Sequence, residues 1–566
     1  MENNNKIKGS DAFIRSLICE GVDTIFGYPG GAIMPVFDAL YDYHNQINHI
    51  LTRHEQGAIH AAQGYARVSG KVGVCLVTSG PGATNTITGI GDAMLDSTPL
   101  VVITGQVAAP LLGTDAFQEI DVVGITAPVT KWAFQVRKAE DIAWAVARAF
   151  YIARSGRPGP VVLDIAKNAQ FQDVDFEYKP CNFIRSYIPY TPIIESQIEE
   201  AASLINSAKK PLALVGQGVT LGGAETELMK FLNKTGIPAA WTLLGGSAMP
   251  TDFHLNMGFL GMHGNVAPNM KTNECDVLIA IGMRFDDRVT GDLNRYAKQA
   301  KVIHLDIDPA EIGKNVAVHA PVLGDVKVTL PALIDKVNPN KHDEWIKSFE
   351  QYNQLEFDKV IEREVHPVDG EITMGEVVRK ISEATENKAV LVTDVGQNQM
   401  IAARYFNFTQ GRSMVTSGGL GTMGFGIPAA MGAKVGAPDR VVCSFNGDGG
   451  FQMTMQELGT IMQEQIGVKL IILNNHYLGM VRQWQEMFFD ERYSFTAMQN
   501  PDFISIAKAY RIDATEVFKR EELDAAIADM LKDDKPYILV VNVETKGMVF
   551  PMVPAGACVA EMVYEF

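Results

Sequence analysis

Short uncharged runs rich in Val, Ile and Leu recur along the whole chain, each separated from the next by a stretch of helical periodicity. They fall at residues 72–78, 100–104, 161–165, 212–215, 277–281, 302–305, 390–393, 441–445, 470–473 and 538–541. A continuous apolar run of this length has no polar face to turn to water, so it suits a strand covered on both sides. Parallel strands with helices on each face have that environment. The pattern therefore predicts α/β domains with doubly wound, mainly parallel sheets. At 566 residues the chain is too long for one hydrophobic core. Two stretches without clear apolar periodicity break it, one around 178–192 and a charged one around 337–370. Three domains follow, at 1–185, 190–335 and 370–566. The first and third could be a diverged pair.

The net charge of −17 argues against non-specific binding to nucleic acid or to an anionic membrane. No apolar run reaches the ~18 residues of a membrane span, and the opening residues carry no apolar signal-like core. The six cysteines are scattered, no two form a C-x-x-C, and several sit in apolar runs, as Cys75 and Cys443 do. Buried free thiols in a reducing, cytoplasmic compartment are the expectation.

One constellation carries chemistry. The run at 441–445 ends in Asn446-Gly447-Asp448-Gly449-Gly450, a helix-like stretch follows at 453–463, and the next run ends in Asn474-Asn475. Strand–helix–strand in a parallel sheet brings both strand ends to the edge where such sheets bind ligands. Asp448 offers an anionic oxygen, Asn475 an amide oxygen, and Tyr477 a backbone carbonyl. Such hard oxygen donors suit Mg²⁺, which shares its octahedron readily with phosphate oxygens. Gly447, Gly449 and Gly450 let backbone and a helix N-terminus come close to a diphosphate.

With these residues the sequence resembles the thiamine-diphosphate decarboxylase superfamily, and within it the FAD-containing acetohydroxyacid (acetolactate) synthase catalytic subunits. The resemblance runs nearly end to end. It is carried by Phe26-Gly-Tyr-Pro-Gly-Gly-Ala32, Arg53-His-Glu-Gln-Gly57, Thr78-Ser-Gly-Pro-Gly-Ala-Thr-Asn85, Thr114-Asp-Ala-Phe-Gln-Glu119, Gly156-Arg-Pro-Gly-Pro160, Arg284-Phe-Asp-Asp-Arg288, Ser417-Gly-Gly-Leu-Gly-Thr-Met423 and Gly479-Met-Val-Arg-Gln-Trp484. It implies that Glu55 hydrogen-bonds the cofactor's pyrimidine N1′ across a subunit boundary. This favours the tautomer whose nitrogen takes the proton from thiazolium C2. It implies that the Gly421 carbonyl accepts from the 4′-amino group and that Met423 props the bent cofactor. Val395, Gly396, Gln397 and Asn398 match a diphosphate-contacting loop in which Asn398 replaces the family's usual His. Gly479 and Met480 are likewise assigned to the cofactor.

The same resemblance implies that Trp484 lines the acceptor pocket, that Arg288 holds the acceptor's carboxylate, and that Gly31, Phe117, Gln118 and Lys167 line the active site. A surface ion pair of Arg288 with Asp286 or Asp287 is the plainer alternative. Arg157, His263, Arg284, Asp306 and Asp325 resemble residues that hold FAD, although Asp306 and Asp325 suit any dinucleotide fold. The expected activity is decarboxylation of pyruvate on thiamine diphosphate. The hydroxyethyl unit is then joined to a second 2-keto acid, pyruvate or 2-ketobutyrate. A homodimer or tetramer, a small regulatory subunit and a C-terminal tail that closes over the site are also implied. A pyruvate oxidase using the same two cofactors and a flavin-free synthase are the rival enzymes.

Overall fold

A computed structural model describes residues 6–565. Three six-stranded sheets, every neighbouring pair parallel, hold all the strands except Lys6–Lys8 and Asp173–Asp175, which pair antiparallel with each other. The first runs, edge to edge, Asn48–Leu51, Thr24–Gly27, Gly73–Val77, Leu100–Gln106, Pro160–Ala166, Trp132–Val136. The third runs Met414–Val415, Val390–Thr393, Val442–Gly447, Val468–Asn474, Tyr537–Asn542, Asp513–Val517. Numbered within each sheet, both have the order 2-1-3-4-6-5, so the suspected pair shares a topology. The middle sheet runs Asn256–Phe259, Ala239–Trp241, Pro211–Val215, Val277–Ile281, Lys301–Asp306, Ala320–Leu323, which is 3-2-1-4-5-6. That is the dinucleotide-binding order.

All ten apolar runs form strands. The strands that escaped the sequence pattern are mostly short or at sheet edges, where one side faces solvent and the run is interrupted by polar residues. Asp513–Val517 and Asn48–Leu51 are examples. Two expectations change. The stretch at 453–463 is not one helix: Asp448–Thr454 and Leu458–Glu464 are separated by a 3₁₀ turn, Met455–Glu457. There the Thr454 hydroxyl donates to the Gly424 carbonyl, and Glu457 accepts the Arg53 amide at 3.0 Å from the first domain. The charged stretch after Val337 is largely helical, through Asp343–Lys347 and Glu350–Glu356. Trp345, Phe349 and Tyr352 fall at helical spacing and surround the Lys271 ammonium at 4.9, 5.8 and 5.0 Å, which fastens the segment to the middle domain. The stretch around 178–192 contains no helix or strand.

The first and third sheets meet through the helices Glu55–Ser69 and Gly426–Gly436. A Cβ on Gly64 would collide with the Ala429 carbonyl, and one on Gly432 with the Ala61 carbonyl. Only glycine allows this backbone contact, and the apolar core is continuous across it. Glu55 opens the first of these helices.

Candidate active site

In the third sheet the strand order reverses between Val390–Thr393 and Val442–Gly447, and ligands of such sheets bind just beyond that point. The chain leaves these strands as Asp394-Val395-Gly396 and Gly447-Asp448-Gly449. Gly447 pairs with Leu473 in register, so Asp448 lies beside Asn474-Asn475. Asp448 begins its helix and is buried, and burial pushes its carboxyl up. It accepts from Asn500 Nδ2 at 2.6 Å and from the Gly449 amide at 3.1 Å. Asn475 donates to Gln397 Oε1 at 3.3 Å and accepts the Tyr477 amide at 3.1 Å. Asn398 donates to the Phe445 carbonyl at 2.9 Å, which holds its helix against the Gly-Asp-Gly strand. A Cβ on Gly450 would strike the Asp394 carboxylate, one on Gly449 would come within 3.8 Å of the Met423 methyl, and one on Gly479 would strike Gln397 Oε1. These glycines keep one corner packed around Asp448.

A cavity of about 880 Å³ opens where the middle sheet reverses, between Gly218 and Gly282. A Cβ on Gly218 would sit 2.7 Å from Gly282 Cα, so bare backbone forms the floor. Arg157, His263, Arg284, Asp306 and Asp325 all line this cavity, and so do Arg288, Val395, Gly396, Gly421, Met480 and Trp484. Residues of all three domains thus face one space. His263 is buried, its Nδ1 has no partner, and burial, with Arg404 and Arg288 nearby, drives its pKa down to about 3. Its ring is therefore neutral. Arg157 donates to Glu311 at 2.8 Å and to Ser97 at 2.9 Å. Asp325 also caps a helix, accepting the Lys327 amide. Arg288 stands 3.7 Å from Asp287 but keeps 60% of its side chain exposed, so the surface pair is loose.

Glu55, Gly31, Gln118 and Lys167 do not line that cavity. They gather at the carboxyl edge of the first sheet. Glu55 is half-buried and accepts from Asn85 Nδ2 at 3.0 Å. Gln118, with φ of 61°, packs against Gly80, Lys167 follows the strand Pro160–Ala166, and Gly31 has nothing within 4 Å of its Cβ position. The tail bridges the other two domains: the Val553 amide donates to the Met262 carbonyl at 2.8 Å, and Gln483 exchanges hydrogen bonds with the Val549 backbone.

Several organising residues were not read from the sequence. Asp394 is buried and accepts the amides of Val395, Gly424 and Gly426, tying two turns of the corner together. Its position directly after an apolar run was the available signal. Asn500 carries no signal, because it arrives from a loop 52 residues beyond Asp448.

The chain matches the thiamine pyrophosphate enzyme N-terminal TPP binding domain over residues 7–125, the central domain over 198–333 and the C-terminal TPP binding domain over 394–541. It is 45% identical to the acetolactate synthase isozyme 2 large subunit of Escherichia coli (strain K12) over 98% of this chain and 99% of that one. It is 44% identical to the acetolactate synthase large subunits of Corynebacterium glutamicum, over 99% and 90%, and of Lactococcus lactis subsp. lactis, over 98% and 96%. The three domains together make it a thiamine-diphosphate enzyme. Within that class the chain belongs to the acetolactate synthase large-subunit family.

Proposed function

We propose a division of labour for the acetolactate synthase reaction. In it pyruvate loses carbon dioxide, and the remaining two-carbon unit joins a second 2-keto acid, pyruvate or 2-ketobutyrate, in branched-chain amino-acid biosynthesis. Thiamine diphosphate, when bound, supplies the carbon nucleophile and the electron sink. Asp448, the Asn475 amide oxygen and the Tyr477 carbonyl hold Mg²⁺ against its diphosphate. The donor set suits that ion: a carboxylate, an amide oxygen and a backbone carbonyl are the hard oxygen donors that Mg²⁺ takes. Val395, Gly396, Gln397, Asn398, Gly447, Gly449, Gly450, Gly479 and Met480 shape the diphosphate seat. The Gly421 carbonyl and Met423 orient the pyrimidine.

Arg157, His263, Arg284, Asp306 and Asp325 would hold FAD along the middle-sheet cavity, where the unpartnered His263 Nδ1 and the glycine floor fit a dinucleotide. The flavin would supply no net redox chemistry to this reaction. Glu55 holds the proton shared with the pyrimidine, and its place on the first domain calls for a second copy of the chain, in a homodimer or tetramer. Gly31, Gln118 and Lys167 line the substrate on the same side. Arg288 takes the acceptor's carboxylate in a fork, and Trp484 forms the wall that favours the larger acceptor. The relatives' designation as large subunits supports a small regulatory partner. No described helix is long and apolar enough to cross a membrane, which accords with a cytoplasmic enzyme.

The carrying observation is that Arg288 and Trp484 face one cavity with Gly421 and Met480. The test is product analysis with thiamine diphosphate, Mg²⁺ and FAD, and equal pyruvate and 2-ketobutyrate. Mostly 2-aceto-2-hydroxybutyrate with some acetolactate is expected. Acetate or acetaldehyde as the main product would overturn the substrate assignment.

A further inference from the structure

The turn Ser417-Gly418-Gly419-Leu420-Gly421 has almost no side chains with which to fix itself, and glycine backbone is costly to order. Its shape is imposed by the first domain. Asp96 accepts the Gly418 amide at 2.9 Å and the Gly419 amide at 2.6 Å, two successive N–H groups on one carboxylate. Asp92 accepts the Ser417 hydroxyl and, at 3.1 Å, the Thr422 hydroxyl, so it grips the turn at both ends. The Ser417 oxygen in turn accepts the Thr422 amide at 2.8 Å. Arg67 pairs with Asp96 at 2.7 Å and donates to the Thr416 carbonyl at 2.6 Å. Arg67 lies on the Glu55–Ser69 helix, so one element carries both the pyrimidine-facing carboxylate and the cation of this cluster.

Helix stability does not explain the two acids. Asp92 lies in the last turn of Ile87–Leu95 and Asp96 caps its end. Carboxylates there oppose the helix dipole, and both are fully buried four residues apart with one cation between them. Burial, then the neighbouring Asp96, raises the Asp92 carboxyl, and its Oδ2 has no partner. Apart from Arg67, the hydrogen bonds of both side chains go to the 417–422 turn.

We propose that Asp92 and Asp96 are positioning residues for catalysis: from the first domain they hold the 417–422 turn so that the Gly421 carbonyl and Met423 are aimed at the cofactor's pyrimidine. This rests on the placement of Gly421 and Met423 given under Proposed function. Asp92→Ala removes the grip. Asp92→Asn keeps an oxygen that accepts both hydroxyls. Ser417→Ala removes one contact from the turn's side and stands in if Asp92→Ala does not fold.

The test measures hydrogen exchange of a peptide spanning 417–423, with and without thiamine diphosphate and Mg²⁺, together with kcat and KM for pyruvate. Wild-type exchange should slow when the cofactor binds. In Asp92→Ala and Ser417→Ala that protection should weaken, with kcat falling ~10- to 100-fold, the scale of an ångström-level misplacement, and KM changing less than about 3-fold. Asp92→Asn should recover most of kcat. Wild-type kcat in Asp92→Ala, a fall in kcat with unchanged exchange, or an Asp92→Asn variant as impaired as Asp92→Ala would each refute the clamp. Absence of cofactor protection in the wild type would instead overturn the placement of Gly421, and the clamp with it.

Discussion

The first and third sheets share one strand order, yet their carboxyl edges differ in finish. Around Asp448 the edge is closed: Asp448, Asn475 and Asn398 are buried, and each amide or carboxylate already has a partner. Around Glu55 the edge is open. Phe117 is 87% exposed, Gly31 faces empty space, and Gln118 and Lys167 are half-covered. The closed edge has the geometry of a holder, because a multiply charged group is held best by dipoles fixed beforehand. The open edge leaves these side chains uncovered or half-covered. Met453, Val481 and Phe488 lie exposed on the third domain as apolar surface. In the proposed assembly these two unfinished surfaces belong to one site built from two copies.

Four substitutions sharpen or break that contrast. Glu55→Gln, on the open edge, should keep the fold and bind cofactor normally while turnover falls on the order of 10²–10⁴-fold. Near-normal kcat would remove Glu55 from the chemistry. Asp448→Ala, on the closed edge, should do the reverse and weaken Mg²⁺-dependent cofactor binding by more than ~100-fold, since even groups behind a metal's ligands cost 10–100-fold. Titration calorimetry separates the two, and equal effects on binding would erase the distinction between holder and actor. Trp484→Leu should leave total turnover within reach of wild type but cut the preference for 2-ketobutyrate over pyruvate by ~1–3 kcal/mol, read from competing substrates.

The smallest effect concerns His263. Folded, it stays neutral down to about pH 3, whereas unfolded it titrates near 6.5. Below about pH 6.5 the unfolded chain binds a proton that the folded one refuses, so this residue's contribution to stability is lost as pH falls. The melting temperature of His263→Gln relative to wild type should therefore rise between about pH 7 and about pH 5. A pH-independent difference would show that the ring is not held neutral.

The fold was legible at the longer strands covered on both faces, because full burial writes itself as an unbroken apolar run. Thr24–Gly27 was missed although fully buried, since Thr and Gly interrupt so short a run. The helical linker was missed because its charges mask Trp345, Phe349 and Tyr352, whose spacing of four and three was there to be read. Of the candidate site, the Gly-Asp-Gly and Asn-Asn strand ends could be read because strand, helix and strand are consecutive. Asp92, Asp96 and Asn500 could not be, because each acts on a turn or side chain that only the tertiary fold brings to it, whereas Asp394 was marked by its place directly after an apolar run. Several of the family-matched positions ended up lining one cavity from separate domains, an arrangement no local spacing encodes.

The glycine contact between Glu55–Ser69 and Gly426–Gly436 has a mechanical consequence. Two helices whose backbones touch cannot slide or separate without breaking that contact, so they behave as a single spindle. Glu55 is mounted at its tip. A methyl group added at Gly64, about two and a half turns away from the carboxylate, would tilt the spindle and sweep Glu55 through an arc. The alignment of a proton with a ring nitrogen is therefore guarded by residues that never approach either one.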